Sequence, residues 1–149
     1  MNITEQDYNF MRVALDEARR AMEQDEVPVG AIVVCKGHII GRGHNLTEAL
    51  GDVTAHAEMQ AITAACNTIG GKYLPDCTLY VTVEPCLMCA GAIGWSQIGR
   101  IVIGAPDEKR GYYNYVIKSP FHPKATVVTG VMKDECEALM KQFFQRKRR

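Results

Sequence analysis

The sequence predicts an α/β protein: a three-layer α/β/α sandwich built on a five-stranded mixed sheet. Three observations carry that expectation. Five short runs rich in valine and isoleucine read as strands, and "GAIVVCK", apolar instead of alternating, marks a strand buried on both faces. Between and around them lie longer segments whose apolar residues recur at spacings of three and four, the period of a helix with one buried face. The two kinds of segment alternate along most of the chain, and strands that alternate with helices are covered by them on both sides. At 149 residues, with 47% hydrophobic and 23% charged side chains, the chain suits one domain with a proper core. No repeat, low-complexity stretch or linker interrupts it.

Each element has its own signal. Tyr8, Met11, Leu15, Ala18 and Met22 set the period of a first helix over residues 4–24. A turn through Pro28 leads into "GAIVVCK", the first strand. Gly37 turns the chain, and "HIIGRGHN" returns as the second strand of a hairpin. Residues 46–53 read as a loop. A second helix spans roughly 54–69 and stops at Gly70-Gly71. "CTLYVTV" is the third strand. Glu84-Pro85 ends it and opens a helix from Cys86 to about Gln97, because proline suits the first helical position. "GRIVIGA" is the fourth strand and "ATVVTGV" the fifth. Residues 107–124 between them read as irregular, with room for one short helix. The last helix covers 132–147, with Cys136, Met140 and Phe143 on one face.

Composition excludes some classes of function. No apolar run is long enough to span a bilayer, and the N-terminus lacks a basic-then-apolar leader, so a cytoplasmic protein without membrane attachment is expected. In that compartment six cysteines are not read as three disulfides. Cys35, Cys66, Cys77 and Cys136 sit in apolar patterns as small core residues, and only Cys86 and Cys89 have the spacing of ligands. The formal net charge is zero, yet it is unevenly distributed. Residues 1–60 hold five Lys/Arg against ten Asp/Glu, and residues 61–149 hold twelve against seven, ending in "RKRR". A positive second half permits a polyanion partner, and it equally fits a solvated helix end whose cations favour the C-terminal dipole.

The chemistry is concentrated in two short motifs. "PCLMC" places two thiols three residues apart at a helix start, where free N–H groups and the positive end of the helix dipole favour thiolates. Alone, C-x-x-C is shared with redox proteins. A structural zinc site needs four protein ligands, and no second such pair exists here. The best third ligand is His56 in "TAHAEM". Two thiols, one imidazole and an open fourth position are the pattern of catalytic zinc. Glu58, two residues from His56, need not bind the metal. A carboxylate on an otherwise buried helix is costly unless it moves protons, so it is the candidate general acid–base. A core histidine and a redox C-x-x-C are the alternatives; their occurrence together with Glu58 favours the catalytic metal.

With His-x-Glu and Pro-Cys-x-x-Cys in place, the sequence resembles the zinc-dependent cytidine and nucleobase deaminase superfamily. Within it, "EVPVGAIVV", "HNLTEALGDVTAHAEM", "TLYVTVEPCLMCAGAI", "IGRIVIGAPDEKRG" and "DECEALMKQFF" are similar to the bacterial tRNA-specific adenosine deaminases over almost the full length. The resemblance implies a cytidine deaminase-like fold and one Zn²⁺ per chain, held by His56, Cys86 and Cys89. It further implies a proton shuttle at Glu58 and hydrolysis of the wobble adenosine of a tRNA anticodon to inosine. Asn45, Ala57, Val27, Pro28 and Val29 match positions around the flipped base, and Asp107 one that contacts the RNA sugar. Phe143, Phe144, Arg146, Lys147 and Arg148 match the segment that meets the anticodon stem-loop, and a homodimer is implied as well. The stretch "YYNYVIKSPFH", residues 112–122, departs from the family pattern. Asn45 also suits a turn and Asp107 a helix cap, and Tyr112, Tyr113 and Tyr115 fit either surface packing or stacking platforms for bases. A free nucleobase or nucleoside deaminase of the guanine deaminase kind shares the zinc chemistry. A structural zinc module that only binds a partner is the non-enzymatic alternative.

Overall fold

A computed structural model describes residues 2–148. The elements in chain order are α1 (Glu5–Glu23), β1 (Gly30–Cys35), β2 (His38–His44), α2 (Thr47–Leu50), α3 (Ala57–Ile69), β3 (Cys77–Val83), α4 (Leu87–Trp95), β4 (Arg100–Ala105), a 3-10 turn at Tyr112–Asn114, β5 (Thr126–Thr129) and α5 (Lys133–Lys147). The sheet order is β2-β1-β3-β4-β5. β1 runs antiparallel to both β2 and β3, while β3, β4 and β5 are parallel. This is the mixed five-stranded sheet that the apolar runs predict. Among the described residues no helix is long and apolar enough to cross a membrane.

Two hydrophobic layers cover the sheet. On one face Met11, Ala14 and Leu15 of α1 and Cys136 of α5 pack against Ile32, Tyr80, Val102 and Val128. On the other, Ala57, Ala61 and Ala65 of α3 and Ala90 and Ile93 of α4 pack against Ala31, Val33, Leu79, Val81, Ile101 and Ile103. α3 lies unusually close to the hairpin because Gly41 and Gly43 face it: a Cβ on either would run into the Ala61 or Ala57 carbonyl. That approach holds the start of α3 beside the end of β2.

α1 is anchored by charge as well as by packing. Thr4 and Asp7 form a capping box at its start. Asp7 is buried and accepts from both arms of the Arg100 guanidinium at 2.7 Å and from the Tyr80 hydroxyl at 2.8 Å. Arg100 thereby holds the Asp7 carboxyl well below the usual carboxylate range. A depressed carboxyl contributes stability that is complete above its ordinary pKa of about 3.9 and is lost as pH falls through the folded value. Arg100→Ala is expected to cost about 3 kcal/mol at pH 7, because it strands a buried carboxylate. Thermal melts should show the deficit at pH 7 and a narrowing gap below about pH 4, where Asp7 takes up a proton in the variant. Equal melting temperatures at pH 7 would remove the ion pair as an anchor.

Several boundaries differ from the sequence expectation. α3 begins at Ala57 instead of residue 54, because Asp52 Oδ1 accepts from the Thr54 amide and hydroxyl and bends the chain into a turn that leaves His56 extended at the N-cap. α4 begins at Leu87 with Cys86 as its N-cap and ends at Trp95. The expected loop over 46–53 contains α2, whose first-turn amides at Glu48 and Ala49 donate to the buried Glu26 carboxylate at 3.0 and 2.7 Å. After Asp107 the chain turns, with Asp107 Oδ1 accepting from the Lys109 and Arg110 amides, and the short helix of this segment is the 3-10 turn at Tyr112–Asn114.

Candidate active site

Two helix starts converge at one end of the sheet. β3 delivers Pro85 and Cys86 to the N-cap of α4, and the turn after α2 delivers His56 to the N-cap of α3. Neither residue lies within its helix. His56 and Glu58 therefore do not share a helical face: the histidine side chain leaves from extended backbone, and Glu58 sits in the first turn behind it. Both N-termini direct unpaired backbone N–H groups toward this place, a field that favours anionic sulfur.

The His56 Nδ1 lies 3.6 Å from Cys86 Sγ and 3.5 Å from Cys89 Sγ, and the three donor atoms are all within 4.8 Å of one another. Zinc takes sulfur at about 2.3 Å and imidazole nitrogen at about 2.0 Å, which at a tetrahedral angle separates the two donors by about 3.5 Å. The spacing and the softness of the donors thus fit zinc, with His56 presenting Nδ1. Hydrogen bonding from the Cys89 thiol, helped by His56, brings the Cys86 thiol down to about 4, against the cost of its burial. The Cys89 thiol is pushed up in turn, first by that bond to Cys86 and then by burial. Cys86 raises the His56 imidazole above its ordinary value.

Glu58 is 3% exposed, and burial pushes its carboxyl up to about 7, against the opposing effect of its own backbone amide. A carboxyl that titrates near neutrality at the bottom of a pocket is poised to take and give protons.

His56, Glu58 and Cys86 line a cavity of about 650 Å³, with Cys89 buried outside the lining. Val27 and Val29 line it, with Pro28 buried between them and outside the lining. Asn45 and Ala57, both buried, line it as well, and so does Asp107. Asn45 Oδ1 accepts from the Thr47 amide at 3.3 Å. Phe143, Phe144, Arg146, Lys147 and Arg148 do not reach the lining; from α5 only Met140 does. Phe143 is buried, Phe144 is exposed, and Arg146 and Lys147 flank the Phe143 ring and pair with Asp25 at the end of α1. Arg149 lies outside the described residues.

The cavity also includes residues that the motifs do not name. Leu87 and Met88 are the two residues inside Cys-x-x-Cys, and their place between ligands is a signal that could have found them. Glu84 precedes the motif's proline and accepts from the Asp107 and Tyr113 amides at 3.2 and 3.1 Å, fixing the loop after β4. Tyr115, one of the tyrosines that fit a stacking platform, lines the cavity, whereas Arg110 and Met140 are brought to it by the fold alone.

The family model for the cytidine and deoxycytidylate deaminase zinc-binding region matches residues 4–105. Fold and site together thus define a deaminase of that zinc-binding class. The tRNA-specific adenosine deaminase of Agrobacterium fabrum is 44% identical over 144 residues, which covers 94% of this chain and 95% of the relative. The chain belongs to the tRNA-specific adenosine deaminase family. A solved structure from studies of A-to-I editing by tRNA:A34 deaminases superposes with a TM-score of 0.82 at 43% identity, covering 88% of this chain and 98% of the other. Guanine deaminase from Bacillus subtilis aligns less extensively, with a TM-score of 0.64 at 36% identity over 70% of this chain and 66% of its own.

Proposed function

We propose that the protein hydrolytically deaminates adenosine to inosine at the wobble position of a tRNA anticodon. The observation that carries this reading is the buried Glu58 beside the His56, Cys86 and Cys89 donor set, on the floor of a cavity large enough for a purine nucleoside. Family membership supplies the substrate class. His56, Cys86 and Cys89 would hold one zinc per chain. When bound, zinc supplies Lewis acidity that lets a water molecule ionise near neutral pH.

The chain's own residues do the rest. Glu58 takes a proton from the nucleophilic water, delivers it to N1 of the adenine and returns one to the departing amine, so that adenosine and water become inosine and ammonia. The base must leave the anticodon stack to reach Glu58. Val27 and Val29 wall the purine with Pro28 packed behind them, Asn45 and the Ala57 backbone orient its polar edge, and Asp107 meets the ribose. A tRNA substrate sets the activity in the cytoplasm. The exposed Trp95 side chain at the end of α4, outside the cavity, offers a surface for a second copy in a homodimer.

The test is to incubate the protein with an anticodon stem-loop that carries a wobble adenosine and to measure inosine by nucleoside chromatography. Inosine at that position supports the reading; conversion of free guanine with none of the stem-loop would overturn it. The C-terminal cations are tested in the same assay. Removing Arg146 to Arg149 is expected to weaken stem-loop binding and flatten its salt dependence, because fewer counterions are released. It also severs the pairs with Asp25, so Asp25→Ala, which frees the two cations while keeping them, should tighten binding. Equal affinity and salt slope after truncation would take the tail out of the RNA contact.

A further inference from the structure

The loop after β4 presents a cation, Arg110, and an aromatic ring, Tyr115, at the cavity, and the catalytic motifs give neither a role. We propose that Arg110 and Tyr115 form a subsite for the nucleotide next to the target adenosine, with Arg110 holding its phosphate and Tyr115 stacking on its base. This rests on the reading of the substrate as RNA.

Arg110 is exposed, lines the cavity and makes no ion pair among the described residues. Two acids of the cavity wall, Asp107 and Glu84, are bonded to loop amides, and neither pairs with Arg110. Asp107 Oδ1 is turned onto its own loop, where it accepts from the Lys109 and Arg110 amides at 3.1 and 3.0 Å. Glu84 is committed to the Asp107 and Tyr113 amides. The guanidinium is left to an anion that arrives with the substrate, and a free purine brings none.

Tyr115 lines the same cavity with its ring 54% exposed. Its hydroxyl donates to the Lys109 carbonyl at 3.0 Å, which fixes the ring in place. The loop beneath is braced. Asn114 Nδ2 donates to the Glu108 carbonyl at 2.6 Å, and the Tyr112 amide donates to the Pro85 carbonyl at 2.9 Å. The Tyr112 ring is buried edge-on to Phe121, and Gly111 sits so close to Glu84 that no side chain fits. A ring held in this way loses little freedom when a base stacks on it. Around the mouth Val53, Leu87 and Met88 are also exposed and apolar. One free cation, one fixed ring and an apolar rim are the surface that binds splayed single-stranded nucleotides.

The experiment measures kcat and KM of the zinc-loaded protein on the anticodon stem-loop for wild type, Arg110→Ala, Arg110→Lys, Tyr115→Ala and Tyr115→Phe. Parallel substrates lack the base on one or the other side of the adenosine. Arg110→Ala should raise KM about tenfold with kcat unchanged and lower the salt slope by about 0.7, the value for one phosphate on a single strand. Arg110→Lys should recover most of the loss. Tyr115→Ala should weaken the intact stem-loop about tenfold, and that penalty should vanish on one of the two abasic substrates, because stacking needs a base. Tyr115→Phe keeps the stack. Zinc content and melting temperature should match wild type in all four variants. Wild-type KM in both alanine variants overturns the subsite while leaving the RNA reading intact. So does a Tyr115→Ala penalty that persists on both abasic substrates. If the wild type makes no inosine in the stem-loop, the RNA reading fails and the subsite falls with it.

Discussion

Glu58→Ala is expected to retain zinc and the native fold yet to lose about 10³-fold or more in deamination. General acid–base catalysis contributes about 10²–10⁴-fold, and this single carboxyl serves several proton transfers in one turnover. The fold survives because Glu58 is no structural asset: a 3% exposed carboxylate is expensive to bury, and an alanine there removes that cost. The melting temperature of the variant is therefore expected to equal or exceed that of wild type, the usual exchange of activity for stability at a catalytic residue. The check is zinc content by atomic absorption, a thermal melt and single-turnover inosine formation on one preparation. Substantial activity in the zinc-loaded variant would strip Glu58 of the shuttle role.

Cys86→Ala has the opposite signature, with metal and stability lost together. Cys86 caps α4 and His56 caps α3, so the donor set joins the starts of two helices whose first amides have no intrahelical partners. Removing one ligand should bring zinc from one per chain to near none and loosen residues 54–58 and 84–89, which amide hydrogen exchange would report. Chelation of the wild type should reproduce the loosening. An unchanged zinc content in Cys86→Ala would take Cys86 out of the ligand set.

Much of this was legible in the sequence, and the exceptions share a physical cause. The central strands could be read because a sheet covered on both faces is apolar along its length, as in "GAIVVC" and "CTLYVTV", while the edge strand β2 was marked by the hairpin turn at Gly37. The donor set could be read because two spacings, His-x-Glu and Cys-x-x-Cys, each sit where a helix begins. α2 was not legible, since four residues with no local cap are held by Glu26, more than twenty positions upstream. The start of α3 was misjudged because the Asp52–Thr54 turn competes with the helix for the same backbone. Arg110 and Met140 reach the cavity only through tertiary placement. Neither the charge of the tail nor its resemblance to an RNA-contacting segment says anything of Asp25 on a distant turn.

The close seat of α3 on the hairpin has a bearing on how such a protein can evolve. Ala57, Ala61 and Ala65 are fully buried against strands whose Gly41 and Gly43 leave no volume for a methyl group. That wall tolerates almost no drift, because any enlargement shifts the helix that carries Glu58. The wall opposite, residues 107–115, is a loop whose amides bond the Glu84 and Asp107 carboxylates, so those two side chains and Gly111 are fixed, while exposed positions such as Lys109 and Arg110 lend only their backbone to that scaffold. Inheritance is thus divided across one cavity: the side that performs the reaction is frozen by packing, and the side that faces the rest of the substrate is free to be rewritten. New substrate preferences in this lineage are expected to arise by substitution in that loop, without passing through an inactive ancestor.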